Sequence, residues 1–160
     1  MEPLLTRAEE LRSGRRIKLC LHRMRQLLSR YPAGYMRYMA RMEEVISGGG
    51  TMFSWLPLRE RMVDDLRRVS RALERAESLA ARTPDRAVKA LAEGVKLLLA
   101  YPLDPETLSQ WTREVLGESR DSGALGKLKH ARRVARILRK CLDVLERERD
   151  RLVMPNFRLV

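Results

Sequence analysis

The sequence predicts an all-α fold, a helical bundle of about five to six helices with long central and C-terminal helices and no sheet. Three observations predict it. Leu, Ala, Arg, Glu and Met dominate a chain of 160 residues, and all five are good helix formers. Apolar side chains recur at steps of three and four through most segments, which is the period of a helix with one buried face. Strand formers are thin, and aromatics make up only 5% of the chain. With 44% apolar residues, the chain has enough apolar surface for a single domain with its own core.

The elements follow in order. A short helix is expected from about Pro3 to Leu11, ending near Ser13-Gly14, and a second from Arg15 to Arg30. The second turns Ile17, Cys20, Leu21, Met24, Leu27 and Leu28 inward. Arg12, Arg16, Arg23 and Arg30 form one outer stripe, and Lys18 with Arg25 another. Tyr31-Pro32 interrupts the helix, because proline pushes the preceding residue out of the α region. A helix over Ala33 to Ser47 places Arg37 and Arg41 on one face, since residues four apart are neighbours on a helix. Gly48-Gly49-Gly50 ends it. Residues 48–57 read as a Gly/Pro loop whose Phe53 and Trp55 plug the core or a neighbour.

The central helix spans about Leu58 to Arg82, with Met62, Leu66, Val69, Leu73, Ala76 and Ala80 on its apolar seam. Thr83-Pro84-Asp85 and Asp104-Pro105-Glu106 each supply a cap residue, a first-turn proline and an early acid. That combination opens helices, here near 84–100 and 105–116. Ser119 to Gly126 reads as a loop. The last helix runs from about Leu128 to Leu152 on a heptad seam of Leu128, Ala131, Ala135, Leu138, Leu142 and Leu145. Pro155 should stop it early in the tail, 153–160.

Charge divides the same chain differently. Leu11 to Met42 holds nine cations and no carboxylate, and Ala124 to Leu142 holds seven more and none. Glu43 to Gly123 is close to neutral. The domain therefore reads as basic N-terminal helices (1–47), a near-neutral helical middle (58–116) and a basic C-terminal helix (124–152). Of the 33 cations 27 are Arg, whose planar fork of donors matches phosphate bidentately. Like charges held in two blocks repel one another, and a polyanion is the natural compensation. The residues expected to meet it are Arg12, Arg15, Arg16, Lys18, Arg23, Arg25, Arg30, Arg37 and Arg41 in the first block. The second block offers Lys127, Lys129, Arg132, Arg133, Arg136, Arg139 and Lys140.

Catalysis finds little support. The histidines are His22 and His130 and the cysteines Cys20 and Cys141. Their spacing matches no zinc-ligand pattern, so they could meet only if the two basic helices were neighbours. Glu43-Glu44 and Asp64-Asp65 are adjacent and diverge on a helix, whereas acid–base or metal chemistry needs convergence. No phosphate-cradling glycine motif is present. No enzyme activity, metal or cofactor is therefore expected. Scarce aromatics argue against stacking on unpaired bases. The two helices between Pro84 and Leu116 carry only Arg113 and Gln110 on the second helix as base-reading groups, which disfavours a sequence-specific helix-turn-helix.

The expected function is a non-enzymatic structural protein that coats or packages duplex nucleic acid. DNA is favoured over RNA, and the model for it is a coat subunit of a helical, filamentous virus-like assembly. One Asn and two Gln in the whole chain suggest a thermophile, which avoids labile amides. The alternatives are a small helical subunit of a ribonucleoprotein complex, such as a CRISPR-type effector, and a regulator docking on an acidic protein surface. A homo- or hetero-oligomer is expected. No signal peptide and no membrane span are expected, which reads as an intracellular protein or a virion component assembled in a cell.

Overall fold

The computed structural model describes residues 4–48, 56–117 and 123–157. Among them it contains seven helices and no strand: α1 (Arg7–Arg30), α2 (Pro32–Ser47), α3 (Leu56–Ala80), α4 (Pro84–Leu98), α5 (Pro105–Gly117), α6 (Gly123–Gly126) and α7 (Lys129–Phe157). The expected all-α bundle is thus observed. Gly49, Gly50, Phe53 and Trp55 lie outside the described residues, as does the first half of the expected loop from Ser119 to Gly126.

Three element boundaries differ from the sequence reading, each for a local reason. The break at Ser13-Gly14 does not occur, and α1 is one helix of 24 residues. Its true start is a capping box: the Thr6 hydroxyl accepts from the Glu9 amide while the Glu9 carboxylate accepts from the Thr6 amide. Ser13 is buried and its hydroxyl donates to Glu148 of α7 at 2.7 Å. Tertiary packing thereby outweighs the roughly 1 kcal/mol that Gly14 costs a helix interior. The segment before Lys129 contains the four-residue helix α6, whose Leu125 is buried. Finally, α7 runs through Pro155 to Phe157. Proline removes one amide donor but its fixed φ is helical, so a final turn tolerates it.

Two antiparallel helix pairs form the body, α1 against α7 and α3 against α4, with α2 and α5 joining them. The join begins at Tyr31, whose extended backbone (φ −80°, ψ 128°) precedes Pro32. It turns the chain sharply enough that a Cβ on Gly34 would collide with the Leu28 carbonyl, so only glycine fits there. α2 then drives Tyr35 into the α3–α4 pair. Its hydroxyl donates to the Val69 carbonyl at 2.6 Å, and its ring is fully buried. A second aromatic joint places Tyr38 edge-on to Trp111 of α5, with ring centroids 5.5 Å apart.

Candidate functional site

The two acid-free blocks are brought side by side. Residues 13 and 148 are hydrogen-bonded across α1 and α7. Cys20 acts on Cys141, and Arg30 acts on His130. That is the register of two antiparallel helices in contact over most of their length. Of the expected heptad seam of α7, Ala131, Ala135, Leu138 and Leu145 are buried, Leu128 and Leu142 are half-buried, and Val134 and Cys141 of the flanking row join the core.

Cations from both helices border this seam. Arg12, Arg16, Arg23 and Arg30 are all exposed. They share one side of α1, because steps of four and seven return to the same face. At one end, Arg16 donates to Glu148 at 3.0 Å, and Arg151 lies 3.8 Å from the same oxygen. In the middle, Arg23 is close enough to both thiols to lower them, against the larger effect of burial, which raises each. At the other end, Arg30 and Arg133 flank His130. Burial and then these two guanidiniums hold that imidazole below its ordinary range, so it is neutral at pH 7.

Two carboxylates stand among these cations: Glu9, exposed, lines a groove with Arg12, Arg16 and Arg151, and Glu148 lies beneath, only 5% exposed. The Ser13 hydroxyl, Arg16 and Arg151 hold Glu148 below the usual carboxylate range. It is a satisfied internal anion beneath the surface. It partly neutralises Arg16 and Arg151, whereas among the described residues Arg12, Arg23, Arg30, Arg133 and Lys140 make no ion pair.

The remaining expected residues divide three ways. Arg132 and Arg139 are exposed but lie further round α7 from the seam, on the side where Glu146 meets Arg113 of α5 at 3.1 Å; Arg136, also exposed, stands between them and the seam, three and four residues from Arg133 and Lys140. Lys127, Lys129, Arg15 and Lys18 are exposed at the edges. Three others have partners away from the seam. Arg25 donates to the Leu99 carbonyl and, at 3.0 Å, to the Tyr101 carbonyl, satisfying the open end of α4. Its guanidinium also lowers the Tyr38 phenol, which burial pushes up to about 12. Arg37 bridges to Glu114 of α5. Arg41 lies 3.7 Å from Glu44 and acts on Asp104, which places it on the α2–α5 side.

Arg151 was not among the expected residues. It stands in a run of alternating signs, Glu146 to Arg151, that reads as a neutral surface. Only the burial of Glu148 turns it into a seam cation. The thiols and imidazoles do not form a metal site: among the described residues no group of three His, Cys, Asp or Glu could hold an ion. His22 is exposed and pairs with Gln26 at 3.2 Å. No described helix is long and apolar enough to cross a membrane.

No family model, no curated protein and no solved structure matches this chain.

Proposed function

We propose that this protein is a non-enzymatic, nucleic-acid-binding structural protein that carries duplex nucleic acid along the α1–α7 seam. The observation that carries the reading is the juxtaposition of Arg12, Arg16, Arg23 and Arg30 with Arg133, Lys140 and Arg151 along one pair of helices. Cations four to seven residues apart on α1 recur at about 6 to 10 Å along the helix axis, which suits a phosphate backbone and reads no bases. DNA is favoured, and repetition of the subunit along the duplex would give a coat of helical symmetry, as in a filamentous virus-like particle. The scarcity of labile amides supports a thermophilic source.

Duplex binding measured by fluorescence anisotropy across a salt series tests this. With six to eight phosphate contacts, log K should fall against log salt with a slope of about −5 to −7 on B-form DNA. Absence of binding at about 50 mM salt, where phosphate contacts are strong, would overturn the proposal and favour a regulator that docks on an acidic protein. Negative-stain imaging with duplex separates the remaining readings. A coat forms regular filaments; a subunit of a larger ribonucleoprotein complex binds without assembling.

A further inference from the structure

We infer that the α3–α4 hairpin carries a second, separate phosphate-binding trough, so that one molecule holds two duplex segments at once. The inference rests on the nucleic-acid reading above and goes beyond it.

The trough is built by small residues. Ala72, Ala76 and Ala80 of α3 face Ala87, Ala90 and Gly94 of α4, and a Cβ added to Gly94 would stand 3.1 Å from that of Ala72. With so little bulk between them the two helices approach closely, and the residues bordering their contact are brought together. Arg68, Arg71 and Arg75 form a stripe on α3, at steps of three and four. Arg86, Lys89 and Lys96 lie along the facing border of α4. Between them run two adjoining grooves, of about 470 and 540 Å³, which share Arg75, Ala90 and Glu93. Six cations thus line a concave strip with Glu93 as its one carboxylate. All six are exposed, and none makes an ion pair among the described residues.

Sequence reading treats this region as near neutral, because Glu74, Glu77 and Asp85 balance the count. Those acids lie outside the grooves. The arrangement therefore concentrates unpaired positive charge on one face of a hairpin that is neutral on average. The ligand class that such a strip fits is an extended phosphate backbone, since the cations recur along two helix axes and meet no deep enclosed pocket.

One straight duplex cannot serve both faces. Arg25, which reaches the end of α4, lies about 160° around α1 from Arg23 at 100° per residue. The α4 seat and the arginine stripe of α1 are thus on opposite sides of that helix. Duplex DNA is stiff over about 150 base pairs, so it does not fold back around a single small domain.

The test is a two-duplex capture. Biotinylated duplex is fixed on beads, protein is added, and a fluorescent duplex of unrelated sequence follows. The wild-type chain should retain the second duplex. The R68A/R71A/R75A variant changes only exposed side chains, and circular dichroism and melting check its fold. It should bind a single duplex within about two-fold of wild type yet lose capture by about ten-fold, since each lost phosphate contact weakens the second site. R71E, a single change opposite Glu93, should weaken capture in the same direction. Capture unchanged in both variants overturns the inference, and assigns any bridging to self-association. Single-duplex binding with no capture by the wild-type chain overturns it while leaving the α1–α7 reading intact. Failure of the wild-type chain to bind even the first duplex overturns both.

Discussion

Gly94 and Tyr35 show how single side chains set the distance between helices. The Tyr35 hydroxyl reaches the Val69 carbonyl by passing over Gly94, where a Cβ would collide with the phenol oxygen. Gly94→Ala should therefore force the ring out and cost about 1–3 kcal/mol by overpacking. Tyr35→Phe should cost about 1 kcal/mol for the lost hydrogen bond. The two changes act on one contact, so the double variant should be more stable than the sum of the singles predicts. Urea melts of the four proteins read this coupling directly; strict additivity would show that the phenol and the glycine do not meet. At the seam, His130 offers a second residue-scale probe. Burial, with Arg30 and Arg133 behind it, depresses its pKa. A depressed imidazole favours the folded state above its unfolded value near 6.5, and that contribution fades as pH falls through the folded value. Phosphates bound beside Arg30 and Arg133 would oppose their field and raise the His130 pKa. Binding should then take up protons and strengthen as pH falls. An imidazole titration by NMR that is unchanged by duplex would place the ligand elsewhere.

The α1–α7 pair is the element on which the fold and the proposed site both depend. Leu138 is fully buried at its centre, so Leu138→Ala should cost about 2–5 kcal/mol. A thermal melt that barely moves would show that the heptad register of α7 is wrong. The same pair should also be acid-labile. Glu148 is held below its ordinary 4.5 chiefly by the Ser13 hydroxyl, with Arg16 and Arg151 adding to it. A depressed carboxylate stabilises the fold fully above its unfolded value and loses that contribution as pH falls below 4.5. Glu148→Gln should flatten this acid limb of the stability profile, which denaturant melts between pH 3 and 7 would reveal. Much of this element was legible in the sequence. The heptad of Leu128 to Leu145 marked the buried face because apolar period is a local property. The continuity of α1 was not legible, because the bond that anchors Ser13 runs to Glu148, far along the chain. The pairing of α1 with α7 was equally hidden, since periodicity tells which face is buried and not against what.

Charge behaves differently at the scale of the whole molecule. The two acid-free blocks announce a polyanion partner from composition alone, but they treat every cation as equivalent. Packing sorts them. Arg25 and Arg37 are absorbed into helix joints, Arg132 and Arg139 turn away from the seam, and Arg151 is added to it. Ranking by position rather than by count gives a test that composition cannot. Two double variants remove the same number of charges: R23A/R30A along the seam, and R132A/R139A on the outward side of α7. Both sets are exposed, so both variants should keep their helicity. If the seam carries the duplex, the first variant should shallow the slope of log K against log salt by about 1.8, two contacts at 0.9 each. The second should change it by less than about 1, the effect of a single contact. Equal losses would mean that the protein attracts nucleic acid through its net charge of +12 as a diffuse field. A larger loss in the outward variant would move the bound duplex onto the α5–α7 flank, where Glu146 and Arg113 already meet.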